Sequence, residues 1–192
     1  MNRPKLVAVG GIPGSGKSTL AQALAGRLDA ALLDLDTLTN PLLSLLAAAA
    51  GAVDDLGHPS LRGEVRDARY RCLADTAAQV VSAGCSAVAV APFTLELAEP
   101  IAWQEFSGPG SNPAVSSVLI CMHIDPAVAR QRRNVRGLPR DQSLRGRESA
   151  VPGLVTVPRT PHLCADGAAD PRQEAERLAL LLADSASAAS AD

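Results

Sequence analysis

Residues 11–18 read Gly11-Ile12-Pro13-Gly14-Ser15-Gly16-Lys17-Ser18, a match without exception to G-x-x-x-x-G-K-[ST]. No other stretch restricts the fold as tightly. A loop of this kind works only between a buried strand and the first turn of a helix. Both flanks fit: Lys5 to Val9 is a short apolar run, and Lys17 to Leu28 carries Leu20, Ala21, Leu24 and Leu28 on one helical face. Glycines allow the unusual φ values that turn successive backbone N–H groups towards one point, an anion-binding nest. The helix N-terminus adds about half a positive charge at the same place. In such a loop Lys17 reaches the β- and γ-phosphates of a nucleoside triphosphate, Ser18 is a ligand for Mg²⁺, and Thr19 is placed to cradle the α-phosphate. The backbone of Gly11, Pro13, Gly14, Ser15 and Gly16 forms the cradle itself.

The rest of the chain alternates short apolar runs with helical patterns. Strands are expected at Ala31 to Leu35, Ser86 to Ala91, Ser117 to Ile124 and His162 to Ala165. Helices are expected over Thr37 to about Ala50, starting near Asn40-Pro41, and over Leu61 to Ala83, Pro126 to Arg136 and Pro171 to Leu182. Gln104 to Pro113 reads as loop. This alternation predicts an α/β fold, a parallel sheet with helices on both faces. Its length of 192 residues suits one domain, over 1–184, followed by a small polar tail, 185–192, expected to be disordered.

A second pair of candidate residues ends the second strand, at Asp34-Leu35-Asp36. Ligands bind at the carboxyl edge of open α/β sheets. In extended backbone, residues two apart face the same side. Asp34 is then a candidate Mg²⁺ ligand, and Asp36 a candidate base that takes a proton from a substrate hydroxyl. The competing reading makes Asp36 the cap of the next helix and Asp34 a turn residue.

Seven arginines crowd residues 130–147, at 130, 132, 133, 136, 140, 145 and 147, with only Asp141 against them. Sixteen of the 18 basic residues are arginine, as a GC-rich coding bias would give, but the local excess stands out in a chain of net charge −2. A basic segment closing over phosphates needs this composition; a solvated helix face would share it. Overall acidity and only 2% aromatic residues argue against a nucleic-acid binder. Phe93, after the third strand, either lines an acceptor pocket or packs on the helix before it. Cys72, Cys85, Cys121 and Cys164 form no C-x-x-C pair and no zinc pattern, so they are read as buried free thiols. His58, His123 and His162 show no metal or triad spacing. The N-terminal apolar run is too short for a secretory leader, and no run reaches the roughly 20 residues of a spanning helix. The expectation is a cytoplasmic protein with no membrane contact.

These motifs together resemble the P-loop small-molecule kinases, among them the gluconate, shikimate and adenylylsulfate kinases and the AAA-domain ATP-binding proteins. The residues that carry the resemblance are the loop, Asp34-Leu35-Asp36, Ala91-Pro92-Phe93-Thr94, Arg136-Gly137-Leu138-Pro139-Arg140-Asp141 and Pro161-His162-Leu163. It implies a five-stranded parallel sheet in the order 2-3-1-4-5 and an Arg-rich lid over about 137–160. Arg136 and Arg140 become lid residues that act on the transferring phosphate, with Arg133 behind them on the nucleotide, and Asp36 becomes base or substrate clamp. ATP and Mg²⁺ are the implied cofactors, and a small hydroxylated metabolite the acceptor, for a monomer or homodimer. The alternatives are a polynucleotide-type end kinase, whose loop is similar, and a non-catalytic nucleotide-binding protein. The chain departs from the pattern at Val88-Ala89-Val90, which lacks the acid that relatives often place at the end of strand three. It departs again at Ser149 to Arg159, Pro- and Val-rich where an aromatic-bearing helix is usual.

Overall fold

The computed structural model describes residues 3–49, 63–108, 115–136 and 157–188. Its sheet has five parallel strands: β1 (Lys5–Gly10), β2 (Ala31–Asp34), β3 (Ala87–Val90), β4 (Ser116–His123) and β5 (Leu163–Asp166), in the order β2-β3-β1-β4-β5. The helices are α1 (Lys17–Leu28), α2 (Leu35–Ala49), α3 (Glu64–Ser82), α4 (Thr94–Ala98), α5 (Pro100–Ser107), α6 (Pro126–Arg136) and α7 (Pro171–Ala188). The expected fold and strand order are both present.

β1 is central and buried at all six residues, which is why it reads as a continuous apolar run rather than an alternation. Val7 pairs with Val88 on one side and Val118 on the other. Successive side chains feed two cores. Leu6, Ala8, Leu33, Ala89 and Leu119 pack against Leu73, Ala77, Phe93, Leu97 and Phe106. Val7, Val9, Val88 and Ile120 pack against Leu20 and Leu24 of α1 and Leu178 and Leu182 of α7. Phe93 is fully buried and meets Tyr70 and Phe106 edge-on, with ring centroids at 5.8 and 4.9 Å. It belongs to the core and lines no acceptor pocket.

Several sequence expectations need correction. α2 begins at Leu35, two residues before the expected range from Thr37, and holds Pro41 inside it where a first-turn position was expected. The reason is Asp34, whose Oδ1 accepts the N–H groups of Asp36 at 2.9 Å and Thr37 at 3.2 Å. That cap starts the helix early and leaves the proline to be absorbed. Helices α4 and α5 reach Ser107, where a loop was expected from Gln104; burial of Leu97 and Phe106 holds them in place. α7 continues to Ala188, through residues read as the start of a disordered tail. Three of the four thiols, Cys72, Cys85 and Cys164, are exposed, and only Cys121 is buried. Burial pushes the Cys121 thiol up to about 11. Residues 137–156, most of the expected lid, lie outside the described residues. The end of the expected lid, residues 157–160, is described: Arg159 and Thr160 donate backbone N–H bonds to Leu97 O at 2.9 and 3.0 Å. Among the described residues no helix is long and apolar enough to cross a membrane.

Candidate active site

The loop sits where β1 runs into α1, at the carboxyl edge of the sheet. Gly16 caps α1 with φ 95° and ψ 11°, a left-handed conformation that turns the chain into the helix with its N–H groups pointing outwards. A Cβ on Gly14 would strike the Ala129 carbonyl oxygen and stand 3.0 Å from Arg133 Cγ. α6 therefore rests directly on the loop, and Arg133 fastens it by donating from Nη1 to Pro13 O at 2.7 Å. Lys17 folds back to donate to Ile12 O at 2.9 Å. Ser15 Oγ is wholly buried and finds no hydrogen-bond partner among the described residues. A buried hydroxyl left in this way is costly unless a ligand completes it.

Ser18 Oγ donates to Asp34 Oδ2 at 3.2 Å, while Oδ1 is taken up by the cap of α2. The carboxylate thus performs two tasks, and the oxygen turned to Ser18 is the one open to an ion. A hydroxyl and a carboxylate oxygen side by side are the hard donors that suit Mg²⁺. The residues present fit the ion.

Asp36 is not the cap and not on the strand. It lies in the first turn of α2, so the expected strand alternation is not what brings the two carboxylates together. They meet because the helix starts at once and turns Asp36 towards the same cavity. Arg69 of α3 holds it: Nη2 is 2.7 Å from Asp36 Oδ1, and the same guanidinium reaches Thr39 Oγ1 at 2.8 Å and Asn40 Oδ1 at 3.0 Å.

Two cavities flank the loop. One, of about 330 Å³, is bounded by Gly14, Gly16, Thr19, Arg132, Arg136 and Gly167. Arg132 Nη1 spans its rim to Gly167 O at 2.8 Å. The second, of about 500 Å³, runs from Lys17 and Ser18 past Asp34 and Asp36 to Arg66, Arg69, Tyr70 and Thr94. Arg136 borders both, so the sequence-predicted residues Lys17, Ser18, Thr19, Asp34, Asp36 and Arg136 are brought together. Gly11, the first residue of the loop, donates its N–H to Pro92 O at 3.1 Å, and Arg133 holds the loop through Pro13 O; Arg140 lies outside the described residues.

Sequence reasoning missed the far wall of the second cavity. Arg66, Arg69 and Tyr70 share one face of α3, and the helical spacing i, i+3, i+4 was the available signal. Arg66 lies 4.2 Å over the Tyr70 ring and 3.4 Å from Glu96 Oε1. Tyr70 Oη accepts the Phe93 N–H at 3.1 Å. Burial, and then the nearby Glu96 charge, push the phenol up to about 12. Glu96 is itself raised by burial, and its Oε2 has no hydrogen-bond partner among the described residues.

A profile of the AAA domain family AAA_33 matches residues 6–152. No curated protein matches the chain. Among solved structures, an unliganded sugar kinase from Janibacter sp. is 21% identical, with a TM-score of 0.64 over 93% of this chain and 94% of its own. The APS kinase of Mycobacterium tuberculosis, solved with AMPPNP and APS, is 17% identical, with a TM-score of 0.65 over 95% and 99%. A gluconokinase from Sinorhizobium meliloti is 18% identical, with a TM-score of 0.57 over 96% and 99%. At these identities the likeness is one of fold. With the profile spanning most of its length and the strand order matching, the chain belongs to the AAA domain family AAA_33 and carries the P-loop kinase fold.

Proposed function

We propose that this chain is an ATP-dependent phosphotransferase that moves the γ-phosphate to a hydroxyl of a small metabolite. One observation carries the reading: Asp36 and the phosphate loop open into a single cavity, which continues past them to Arg66, Arg69, Tyr70 and Thr94. A protein that only binds nucleotide has no need of a carboxylate anchored beside the γ-phosphate position. The solved kinases that share the fold, sugar kinase, APS kinase and gluconokinase by their names, support the same class.

The loop N–H groups and Lys17 hold the triphosphate, with the nucleoside in the cavity by Arg132 and Gly167. Asp36, steadied by Arg69, accepts the proton of the acceptor hydroxyl as its oxygen attacks the γ-phosphorus. The bond to the bridging oxygen breaks in line, and ADP leaves with that electron pair. Ser18 Oγ and Asp34 Oδ2 would hold Mg²⁺, which when bound neutralises charge between the β- and γ-phosphates. Arg136 borders both cavities and stands where transferring charge develops; Arg140 joins it on the resemblance. The acceptor cavity of about 500 Å³ suits a metabolite-sized ligand, and its arginines favour one carrying negative charge. The protein is proposed to act in the cytoplasm.

The test is ADP release by the purified protein with Mg·ATP and a pooled library of sugars, sugar acids, nucleosides and aminoglycosides, with mass spectrometry for a gain of one phosphate. An acceptor-dependent signal that disappears in Lys17→Ala is expected. ATP binding with no acceptor-dependent turnover across the library would overturn the small-metabolite reading.

A further inference from the structure

On the other face of β4 from the nucleotide cavity, three side chains with no part in the site above converge. Cys121 Sγ and one ring nitrogen each of His123 and His162 all lie within 4.8 Å of one another. None of them lines either cavity. The fold makes the cluster. Cys121 and His123 are two apart on β4 and so face the same side. The β4–β5 register sets Ile120 beside Leu163, which carries His162 to that same side at the start of β5. The two imidazole rings are nearly parallel, 24° apart in plane, with centroids at 6.3 Å.

We propose that Cys121, His123 and His162 form a binding site for a borderline-soft divalent transition-metal ion, Zn²⁺ being the best match. One thiolate and two imidazoles are the donors that zinc prefers, and a fourth position stays open to water or a further ligand. Zinc bonds of about 2.3 Å to sulfur and about 2.0 Å to nitrogen place tetrahedral donors about 3.3–3.5 Å apart. The donors thus need close in by only about an ångström. His162 is already set for the task. Its Nδ1 is 2.7 Å from Thr160 O, and a carbonyl can only accept, so Nδ1 carries the proton and Nε2 presents its lone pair. This is the orienting bond that metal-bound histidines usually make. Thr160 is itself fixed, with its hydroxyl donating to Glu96 O at 2.7 Å.

Binding breaks the Cys121 S–H bond: the sulfur keeps the electron pair for the ion, and the proton passes to solvent. The donor chemistry separates this site from Ser18 and Asp34, whose oxygens suit Mg²⁺. His123 O also accepts the Gly167 N–H at 2.7 Å, so an ion here braces the strand end beside the nucleotide cavity.

The experiment uses full-length, tag-free protein stripped with a chelator and titrated with Co²⁺, then Zn²⁺. One equivalent of Co²⁺ should give a thiolate-to-metal charge-transfer band and the intense visible bands of a four-coordinate ion, and Zn²⁺ should displace it. Cys121→Ser should abolish the charge-transfer band. His123→Ala, at an exposed position that leaves the core untouched, should weaken Zn²⁺ binding by more than the about 10–100-fold lost with a mere orienting partner. Cys164→Ser should change nothing, although Cys164 stands opposite Cys121 in the register. A Co²⁺ complex without the charge-transfer band, affinity unaltered in His123→Ala, or loss of the band in Cys164→Ser would each overturn the site. The readouts involve no nucleotide, so they stand apart from the phosphotransferase reading.

Discussion

Asp34 and Asp36 sit two residues apart, yet the proposed mechanism gives them separable tasks. Asp36→Asn keeps an oxygen for Arg69 and removes the carboxylate proposed to take the hydroxyl proton. Losing a positioned general base costs about 10²–10⁴-fold in turnover. At about 1.36 kcal/mol per tenfold, that is about 2.7–5.4 kcal/mol of barrier. The effect on stability should be far smaller. The Asp36–Arg69 pair is 2.7 Å long but lies at the cavity mouth, with side chains 44% and 23% exposed. Pairs that reach solvent contribute about 0–1 kcal/mol. Asp34→Asn should likewise spare stability, because asparagine caps a helix as well as aspartate does, but it should raise the Mg²⁺ concentration needed for activity. Asp34→Ala adds the loss of the cap, about 1 kcal/mol. Initial rates of ADP release on the acceptor from the library, beside urea unfolding of each variant, measure both quantities. Should Asp36→Asn retain more than a tenth of the turnover, or lose more than about 2 kcal/mol of stability, the division of labour between the two carboxylates is wrong.

Other substitutions test the walls of the site. Gly14→Ala forces a Cβ against the Ala129 carbonyl in a left-handed backbone of φ 83°, so nucleotide affinity should fall at least tenfold and the melting temperature should drop; isothermal titration with an ATP analogue showing unchanged affinity would refute the close seating of α6. Tyr70 is the single tyrosine, so tyrosinate absorbance reports it alone. Its midpoint should lie near 12 in the folded protein. Because the folded value is raised, stability is full below about pH 10 and declines as pH rises from 10 towards 12, by up to about 3 kcal/mol, and Tyr70→Phe should remove that slope from urea-unfolding data. A folded-state midpoint near 10 would refute the burial. Glu96 is also raised by burial, so its contribution is full below the ordinary value of 4.5 and lost as pH rises through the folded one. Glu96→Gln should therefore be more stable than the parent at pH 7, with the gap narrowing at pH 4; a gap that widens on acidification would reverse the argument.

Much of the donor side was legible without coordinates. The glycine-rich loop with its flanking strand and helix is a contiguous stretch, and local backbone sterics and helix dipole act over that same range. The parallel sheet followed from the alternation of elements, and its strand order from the resemblance. What failed did so where a distant contact overrides a local signal. Pro41 looked like a helix start until Asp34 capped the chain several residues earlier. Phe93 was left open between pocket and packing, and only the contacts with Tyr70 and Phe106 decide for packing. Asp36 lines the cavity beside the loop through a helical turn, where strand alternation was the expected reason.

From sequence alone come the phosphate cradle, the identity of Lys17 and Ser18 within it, and the parallel α/β class, because each depends on residues adjacent in the chain. The far wall of the second cavity is a tertiary product. Arg66, Arg69 and Tyr70 arrive on α3, some 30 residues after Asp36, and Thr94 follows β3. The Cys121, His123 and His162 cluster is of the same kind, since only the pairing of β4 with β5 closes a gap of about 40 residues. Loop closure over such lengths leaves no local periodicity to read; packing of the sheet decides which side chains meet.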